Sequence, residues 1–162
     1  MKEVTIYTDG ACRGNPGPGG YGTILLYKKH KKILQGGYRH TTNNRMEMLA
    51  IIEGLKSLKA SCAVSIYTDS RYICDAINKG WINKWKRKNW LKAPMDPVKN
   101  QDLWKTLDGL RSIHTVQFNW VKGHSDNVLN NEADEIAVTA SKDTLNFQTD
   151  LEFEKDAGLS FG

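Results

Sequence analysis

The sequence Ile-Tyr-Thr-Asp stands at residues 6–9 and again at residues 66–69. β-Branched and aromatic residues run through both copies, a pattern typical of β-strands that end at the aspartate. If the two strands are parallel neighbours, Asp9 and Asp69 lie roughly 5 Å apart, which is one inter-strand spacing. Two carboxylates at that distance repel each other unless one is protonated or a cation binds between them. The repeat therefore predicts a metal site at the carboxyl ends of two adjacent strands, where open α/β sheets bind ligands.

The rest of the pattern indicates an α/β protein, with a five-stranded mixed sheet flanked by helices. Strands are predicted near residues 3–9, 21–28, 32–39, 63–69 and 115–121, and helices near 44–60, 81–92 and 100–110, with others beginning at 70 and 130. The glycine-rich stretch 13–20 is predicted to be a loop. Its spacing does not fit a dinucleotide-type phosphate loop, so its glycines are interpreted as letting a nucleic-acid backbone come close.

Length and charge indicate a basic domain followed by an acidic tail. The chain has 162 residues and a formal net charge of +5, and a chain of this length can form one domain with a sizeable core. Residues 143–162 contain five acids and one lysine, and we predict that this tail is loosely ordered. The basic body favours an anionic partner, nucleic acid first, although a run of charge can also be a solvated face.

The apolar runs and the cysteines indicate where the protein works. No apolar run is long enough to span a membrane, and no signal-peptide pattern precedes the first strand. The three cysteines form no C-x-x-C pair, which is typical of reduced thiols. These features predict a cytoplasmic protein.

Two further acids, Glu47 and Asp134, are predicted near the beginnings of helices. An acid in a first turn can simply stabilise its helix, by about 0.3–1 kcal/mol, and that alternative stays open for either residue alone. Combined with the strand-end aspartates, they form an all-oxygen site that favours Mg²⁺. Two such ions about 3.5–4 Å apart can stabilise both the attacking and the leaving oxygen of a phosphodiester displacement.

His124 lies in the polar loop 122–126. A lone histidine is often an ordinary surface residue. Its near-neutral pKa would also suit proton transfer to water or to a leaving group, or a part in product release.

Four stretches together resemble the signature motifs of type-one ribonuclease H: residues 8–22, 41–47, 68–72 and 120–124. The stretch 80–104, which is rich in tryptophan and lysine, is similar to the basic protrusion of the bacterial branch. The resemblance runs in order to about residue 142, so residues 1–142 are interpreted as a ribonuclease H catalytic domain. It implies the ribonuclease H-like fold and endonucleolytic hydrolysis of the RNA strand of an RNA–DNA hybrid.

The resemblance also implies roles for individual residues. The metal-binding carboxylates match Asp9, Glu47, Asp69 and Asp134, and with His124 they form the catalytic set. Minor-groove contacts match Asn15, Asn43, Asn44 and Arg71; a pocket for a DNA-strand phosphate matches Thr42 and Asn100; and the DNA-facing surface matches Trp81. The protrusion cations Lys84, Lys86, Arg87 and Lys88 are interpreted as phosphate contacts, whereas Trp85, Trp90, Trp104 and Trp120 are expected to pack.

The chain departs from the family pattern at four positions. Arg71 stands where glutamine is more usual, and His40 stands where an arginine often lines the phosphate pocket. Asn131 leaves a second acid before Asp134 absent, and Glu132 is expected to point elsewhere. Asp126 replaces a glycine in the loop that carries His124.

We expect a monomer that uses Mg²⁺, with Mn²⁺ possible, and acts on RNA–DNA hybrids, without a membrane partner. One alternative is a non-catalytic hybrid-binding protein, which would have lost at least one metal carboxylate. A second is a strand-transfer or resolvase enzyme of the same type of fold that acts on DNA alone.

Overall fold

The computed structural model describes residues 1–123 and 126–158. In chain order the elements are β1 (Lys2–Cys12), β2 (Gly17–Tyr27), β3 (His30–Thr41), α1 (Asn43–Lys56), β4 (Cys62–Thr68), α2 (Arg71–Asn78), α3 (Trp81–Arg87), β5 (Leu91–Ala93), β6 (Asp96–Pro97), α4 (Gln101–Ile113), β7 (Thr115–Trp120), α5 (Val128–Lys142), a 3₁₀ turn (Thr144–Asn146) and α6 (Leu151–Asp156). Among the described residues, no helix combines the length and the apolar character that crossing a membrane requires.

Five strands form one mixed sheet in the order β3-β2-β1-β4-β7, which confirms the predicted fold class. β1 is antiparallel to β2, and β2 to β3, whereas β1–β4 and β4–β7 are parallel. The two Ile-Tyr-Thr-Asp copies lie side by side in register, with Ile6 opposite Ile66 and Tyr7 opposite Tyr67. Both isoleucines are fully buried, while the tyrosine rings stack 5.0 Å apart. The matched register brings the two aspartates that follow to the same edge of the sheet.

The two faces of the sheet carry different helices. Thr23 of β2 points toward α1, because its hydroxyl donates to the carbonyl of Ala50 at 2.6 Å. Its neighbour Gly22 points toward α5, where an added Cβ would lie 2.5 Å from the carbonyl oxygen of Ala133. This alternation is the two-residue repeat of a strand. The apolar side of α1 joins the strands in the main core, with residues such as Met48 and Leu55 fully buried.

The interpretation of the glycine-rich stretch 13–20 is wrong in two respects. β2 begins at Gly17, so the loop is much shorter than predicted. The glycines of β2 face protein atoms: an added Cβ at Gly20 would lie 2.5 Å from the carbonyl oxygen of Ala137. At Gly20 the close neighbour is α5, at Gly19 it is the side chain of Thr41, and at Gly17 it is the backbone of Arg13, so the protein itself fills the space beside these glycines.

Several element boundaries differ from the predictions for local reasons. Helix α1 ends at Lys56 rather than near residue 60, and the Ser57 hydroxyl donates to the carbonyl of Gly54 at 2.7 Å where the helix stops. The predicted helix 81–92 ends at Arg87, because Asn89 and Trp90 take left-handed φ angles of 53° and 62°. The chain then forms the small hairpin β5-β6.

The acidic tail is ordered through residue 158, which corrects the prediction of a loosely ordered segment. Gln148 pairs with β3: its N–H donates to the Gly37 carbonyl at 2.8 Å, and its carbonyl accepts from the Arg39 N–H at 2.9 Å. Asp150 and Glu154 are both buried. The prediction considered only the acids of the tail, whereas two of those acids form ion pairs with arginines in residues 1–142.

Candidate active site

Four carboxylates meet in one pocket, and we call Asp9, Glu47, Asp69 and Asp134 the carboxylate pocket. Asp9 comes from β1, Asp69 follows β4, Glu47 comes from α1, and Asp134 comes from α5. One oxygen each from Asp9, Glu47 and Asp69 lies within 4.8 Å of the other two. Asp134 lines the same cavity, whose volume is about 340 Å³. The spacing predicted from the repeated tetrapeptide is therefore what the register produces.

Two glycines allow this close approach, and sequence reasoning did not assign them a role in the site. An added Cβ at Gly10 would lie 2.7 Å from the backbone carbon of Met46, so only glycine lets α1 pack this near β1. The Gly10 N–H also donates to Asp9 Oδ1 at 2.9 Å. At Gly123 a Cβ would lie 2.9 Å from Asp69 Oδ2. In the sequence, Gly10 directly follows Asp9 and Gly123 directly precedes His124, and these positions are the signal that could have identified them.

The alternative that Glu47 and Asp134 are simple partners of a helix dipole is wrong. Helix α1 begins at Asn43 and α5 at Val128, and neither has an acid in its first turn. Glu47 is only 3% exposed, so its carboxylate is held away from water and faces the other acids.

The carboxylate pocket has a strongly unfavourable charge balance. Burial raises the pKa of Asp9 to about 8, and the neighbouring carboxylates of Asp134 and Asp69 contribute to that rise. Burial also raises the pKa of Glu47, with the charge of Asp9 adding to it. The pKa of Asp69 is raised as well, mainly by burial. Within residues 1–123 and 126–158, no lysine or arginine lies within 4.0 Å of these four acids.

The pocket fits a hard divalent cation. Its donors are carboxylate oxygens, the ligand type that Mg²⁺ and Mn²⁺ prefer. A second small cavity, lined by Asp9, Asp69 and Asp134, also holds Asn130, whose buried Oδ1 has no hydrogen-bond partner among the described residues. A cation or its bound water would satisfy this orphaned oxygen and the uncompensated acids together.

The predicted minor-groove residues gather at the mouth of the pocket. Asn43, Asn44 and Arg71 line the same cavity as the four acids. Asn15 lies on the neighbouring loop, where its Oδ1 accepts a hydrogen bond from the Asn43 N–H at 3.0 Å. The structure therefore brings these side chains together beside the carboxylates, although they come from three separate parts of the chain.

Thr42 and Asn100 meet around a residue that the sequence reasoning missed. The Thr42 hydroxyl accepts from the Arg45 N–H at 3.2 Å, and Asn100 Oδ1 accepts from Arg45 Nη1 at 3.3 Å. Arg45 is only 4% exposed and forms ion pairs of 2.7 Å with both Asp102 and Asp150. We call Arg45, Asp102 and Asp150 the arginine cluster. No local pattern marks it, because Asp150 is 105 residues from Arg45.

The protrusion is basic and exposed, as its sequence predicts. Lys84, Lys86, Arg87 and Lys88 are all exposed, and Lys86 pairs with Asp108 at 2.9 Å. Trp81 is 36% exposed. Lys84, Arg87 and Lys88 are therefore available to bind phosphates, whereas Lys86 already forms an ion pair with Asp108.

Three of the four tryptophans expected to pack do so. Trp104 is fully buried, and Trp85 and Trp90 are partly buried against the core. The expectation is wrong for Trp120, which is 41% exposed. Its ring lies under the Arg71 guanidinium instead, with 4.1 Å between the guanidinium carbon and the ring centroid.

The structure describes contacts for Glu132 and His40, at two of the places where the chain departs from the family pattern. Glu132 does point elsewhere, since it pairs with Lys31 at 2.8 Å. The ring of His40 lies 5.4 Å from that of Phe153 in the tail, so the tail covers part of this strand end. His124, the predicted proton-transfer residue, lies outside the described residues.

Comparison with known proteins identifies the family. The family model described as RNase H matches residues 1–142. The chain belongs to the ribonuclease H family. It is 55% identical over 153 residues to a ribonuclease H of Rippkaea orientalis, covering 94% of this chain and 93% of the relative. Because that alignment spans so much of the chain, it extends into the tail beyond Lys142.

Solved structures of ribonuclease H share the fold. LC9-RNase H1, described as a type 1 RNase H with the type 2 active-site motif, superposes with a TM-score of 0.79 at 30% identity, covering 87% of this chain and 72% of that one. LC11-RNase H1, solved in complex with an RNA/DNA hybrid, superposes with a TM-score of 0.68 at 22% identity, covering 88% of this chain and 99% of that one. The resemblance stated from the motifs is confirmed, and the protein is a nuclease of this family.

Proposed function

We propose that this ribonuclease H is an endonuclease that hydrolyses the RNA strand of RNA–DNA hybrids, leaving 5′-phosphate and 3′-hydroxyl ends. The observation that carries the proposal is the carboxylate pocket, in which four acids converge without an internal cation. The line of amides and Arg71 at its mouth adds a surface for nucleic acid. The hybrid bound by LC11-RNase H1 supports the choice of substrate by analogy of fold.

Asp9, Glu47, Asp69 and Asp134 would hold the divalent ions, with Mg²⁺ as the expected metal and Mn²⁺ as the alternative. When bound, two ions supply an activated water and stabilise the departing 3′ oxygen in an in-line displacement. Asp9 borders Glu47, Asp69 and Asp134, so it would contribute to holding both ions. We assign to His124 the transfer of a proton or the release of product.

The protein's own surface orients the hybrid. Asn15, Asn43, Asn44 and Arg71 provide donors and acceptors for the minor groove, where the 2′-hydroxyls that distinguish RNA are displayed. Thr42 and Asn100, beside the arginine cluster, would contact a phosphate of the DNA strand. Trp81 and the cations Lys84, Lys86, Arg87 and Lys88 would extend the contact along the duplex without reading its sequence. Lys86 would first have to release Asp108.

We further propose that the protein works as a monomer in the cytoplasm. The three cysteines are free thiols in the structure, as a reducing compartment would keep them.

Two alternatives are weaker. A non-catalytic hybrid-binding protein would have no need for four converging acids, two of them buried, whose mutual repulsion costs stability. A DNA strand-transfer enzyme would have no use for groove amides suited to 2′-hydroxyls.

One assay separates these functions. The protein is incubated with an end-labelled RNA–DNA hybrid, with duplex RNA and with duplex DNA, each with and without Mg²⁺. We expect Mg²⁺-dependent cutting of the RNA strand of the hybrid alone, with 5′-phosphate on the new ends. Binding without any cutting would favour the binder, and cutting of duplex DNA would favour the strand-transfer enzyme.

A further inference from the structure

Trp120 and Arg71 form a stacked pair at the rim of the carboxylate pocket. The 4.1 Å between the guanidinium carbon and the ring centroid is well inside the roughly 6 Å over which a cation–π contact is favourable. Trp120 is the last residue of β7, and Arg71 is the first residue of α2. Because Trp120 pairs with Thr68 of β4, the chain that leads through Asp69 to Arg71 passes beside its ring.

The ring of Trp120 is anchored to that strand end. Its Nε1–H donates to the backbone carbonyl of Asp69 at 3.1 Å, and the N–H of the next residue, Val121, donates to the Thr68 carbonyl at 2.9 Å. Trp120 is not part of the hydrophobic core. A large aromatic side chain that is held in place but left 41% exposed is therefore a platform at the surface rather than a packing residue.

Arg71 has a free charge although it stands beside four acids. Among the described residues it has no carboxylate within 4.0 Å, and its side chain is exposed at the edge of the pocket. A guanidinium held over an indole face by a cation–π contact still has N–H groups to donate, in the fork that matches a phosphate. The contact also restricts the side chain before substrate arrives, which lowers the entropy lost on binding.

We propose that Trp120 is a positioning residue that holds the Arg71 guanidinium at the rim of the carboxylate pocket, where Arg71 binds a backbone phosphate of the hybrid. The inference rests on the proposed function, because it names the contact that the same site makes with its substrate. It also reassigns Arg71 from a groove contact, which the usual glutamine would make, to a charged contact that salt can screen. The same tryptophan also holds the backbone carbonyl of Asp69 in place through its Nε1–H.

The test is a double-mutant cycle on binding. The variants Trp120→Leu, Arg71→Ala and the double variant are made in an Asp9→Asn background, which prevents cleavage in Mg²⁺. Their Kd for a short fluorescent RNA–DNA hybrid is measured by anisotropy over a series of salt concentrations. We expect Arg71→Ala to weaken binding about five- to tenfold and Trp120→Leu about two- to fivefold. In the Arg71→Ala background, Trp120→Leu should change Kd very little.

The salt series tests the phosphate assignment. Removing one phosphate contact should reduce the slope of log K against log salt by about 0.7–0.9 in Arg71→Ala, and Trp120→Leu should reduce it by less, because the Arg71 charge remains. Arg71→Lys should keep the slope but lose the coupling to Trp120, since an ammonium does not stack as a plane. Weaker binding with an unchanged slope in Arg71→Ala would overturn the phosphate contact. Additive effects of the two single variants would overturn the positioning role.

Conservative and remote variants complete the design. Trp120→Phe keeps an aromatic face but loses the Nε1–H that anchors the ring to the Asp69 carbonyl, so its Kd and salt slope should lie between those of the parent and those of Trp120→Leu. In the active enzyme, Trp120→Leu should raise KM with little change in kcat. Tyr27→Leu removes another ring that packs under an exposed cation, Lys28, at 5.4 Å, and should leave the binding unchanged. If the Asp9→Asn parent does not bind the hybrid and the native enzyme does not cut it, the proposed function itself fails, whereas binding without coupling refutes only this inference.

Discussion

The carboxylate pocket and the arginine cluster both bring partly or fully buried acids together from distant parts of the chain, yet they are opposites in charge balance. In the arginine cluster, the Arg45 guanidinium lies between Asp102 and Asp150 at 2.7 Å from each. In the carboxylate pocket, four acids share a cavity with Arg71 at its edge, and among the described residues no lysine or arginine lies within 4.0 Å of their carboxylates. The charges of the arginine cluster are balanced within the protein, whereas the charges of the carboxylate pocket are balanced only when a cation binds.

The pKa values follow that difference. Burial disfavours the charge of Asp102, but the hydrogen bonds and charge of Arg45 outweigh it and lower the pKa. In the pocket nothing opposes burial enough, and the pKa of Asp9 rises to about 8. A buried acid that is paired with a cation can stabilise the fold. A buried acid without such a partner lowers the stability, and its presence indicates a functional role.

The largest effect that would test this contrast is the loss of catalysis from the pocket. Asp9→Asn should lower hybrid cleavage in Mg²⁺ by about 10²–10³-fold or more, because it removes the acid that borders the other three. Hybrid binding should remain measurable. Single-turnover cleavage and anisotropy give the two quantities separately. Asp75→Asn, which changes a surface acid of α2 paired with Lys79, is the control and should cut normally. Normal turnover by Asp9→Asn would contradict the assignment of the pocket as the metal site.

The next effect should appear in stability and comes from the arginine cluster. Asp150→Asn leaves a buried guanidinium with only one acid, and we expect a loss of about 3 kcal/mol in the free energy of unfolding. Urea denaturation measures it, with Glu152→Gln as an exposed tail control that should change nothing. Well below the unfolding midpoint, kcat should stay near that of the native protein. Unchanged stability of Asp150→Asn would show that the tail is not held by this contact.

The last effect is a change of stability with pH in the metal-free protein, which appears gradually over several pH units. Since the folded-state pKa of Asp9 is about 8 and its unfolded pKa is about 3.9, the folded state binds more protons between those values. Stability must then fall as pH rises through that window, by up to about 1.4 kcal/mol per pH unit for each extra proton. Thermal or urea unfolding in EDTA from pH 4.5 to pH 8 would show it. Asp9→Asn should flatten the slope, and Mg²⁺ should reduce it because the metal replaces the protons. A metal-free stability that rises over this range would contradict the charge balance described for the pocket.

Much of the site was accessible from local patterns, because motif residues stay near the ends of their own strands and helices. The alternation around Ile6 and Ile66 predicts parallel strands, and the matched positions then place Asp9 beside Asp69. Two of the errors arose where a distant element decides: Gly20 and Gly22 of β2 are explained by the approach of α5, and the position of the Trp120 ring by Arg71. The end of the protrusion helix is a local effect of the left-handed residues Asn89 and Trp90.

The chain alone establishes which residues are chemically unusual: a repeated strand ending in aspartate, two further acids, amides beside them and a basic protrusion. It does so because strand alternation, turn residues and charge runs act over a few positions. The tertiary structure decides which of the acids receive a counter-charge. That choice depends on whether a cation from another element lies within about 4 Å, as Arg45 does for Asp150 and as no described lysine or arginine does for Asp9. A hydrogen-bonded ion pair requires contact between the two charged groups, so only the folded arrangement of the chain distinguishes the acids that are paired with an arginine from those that are left to bind a metal.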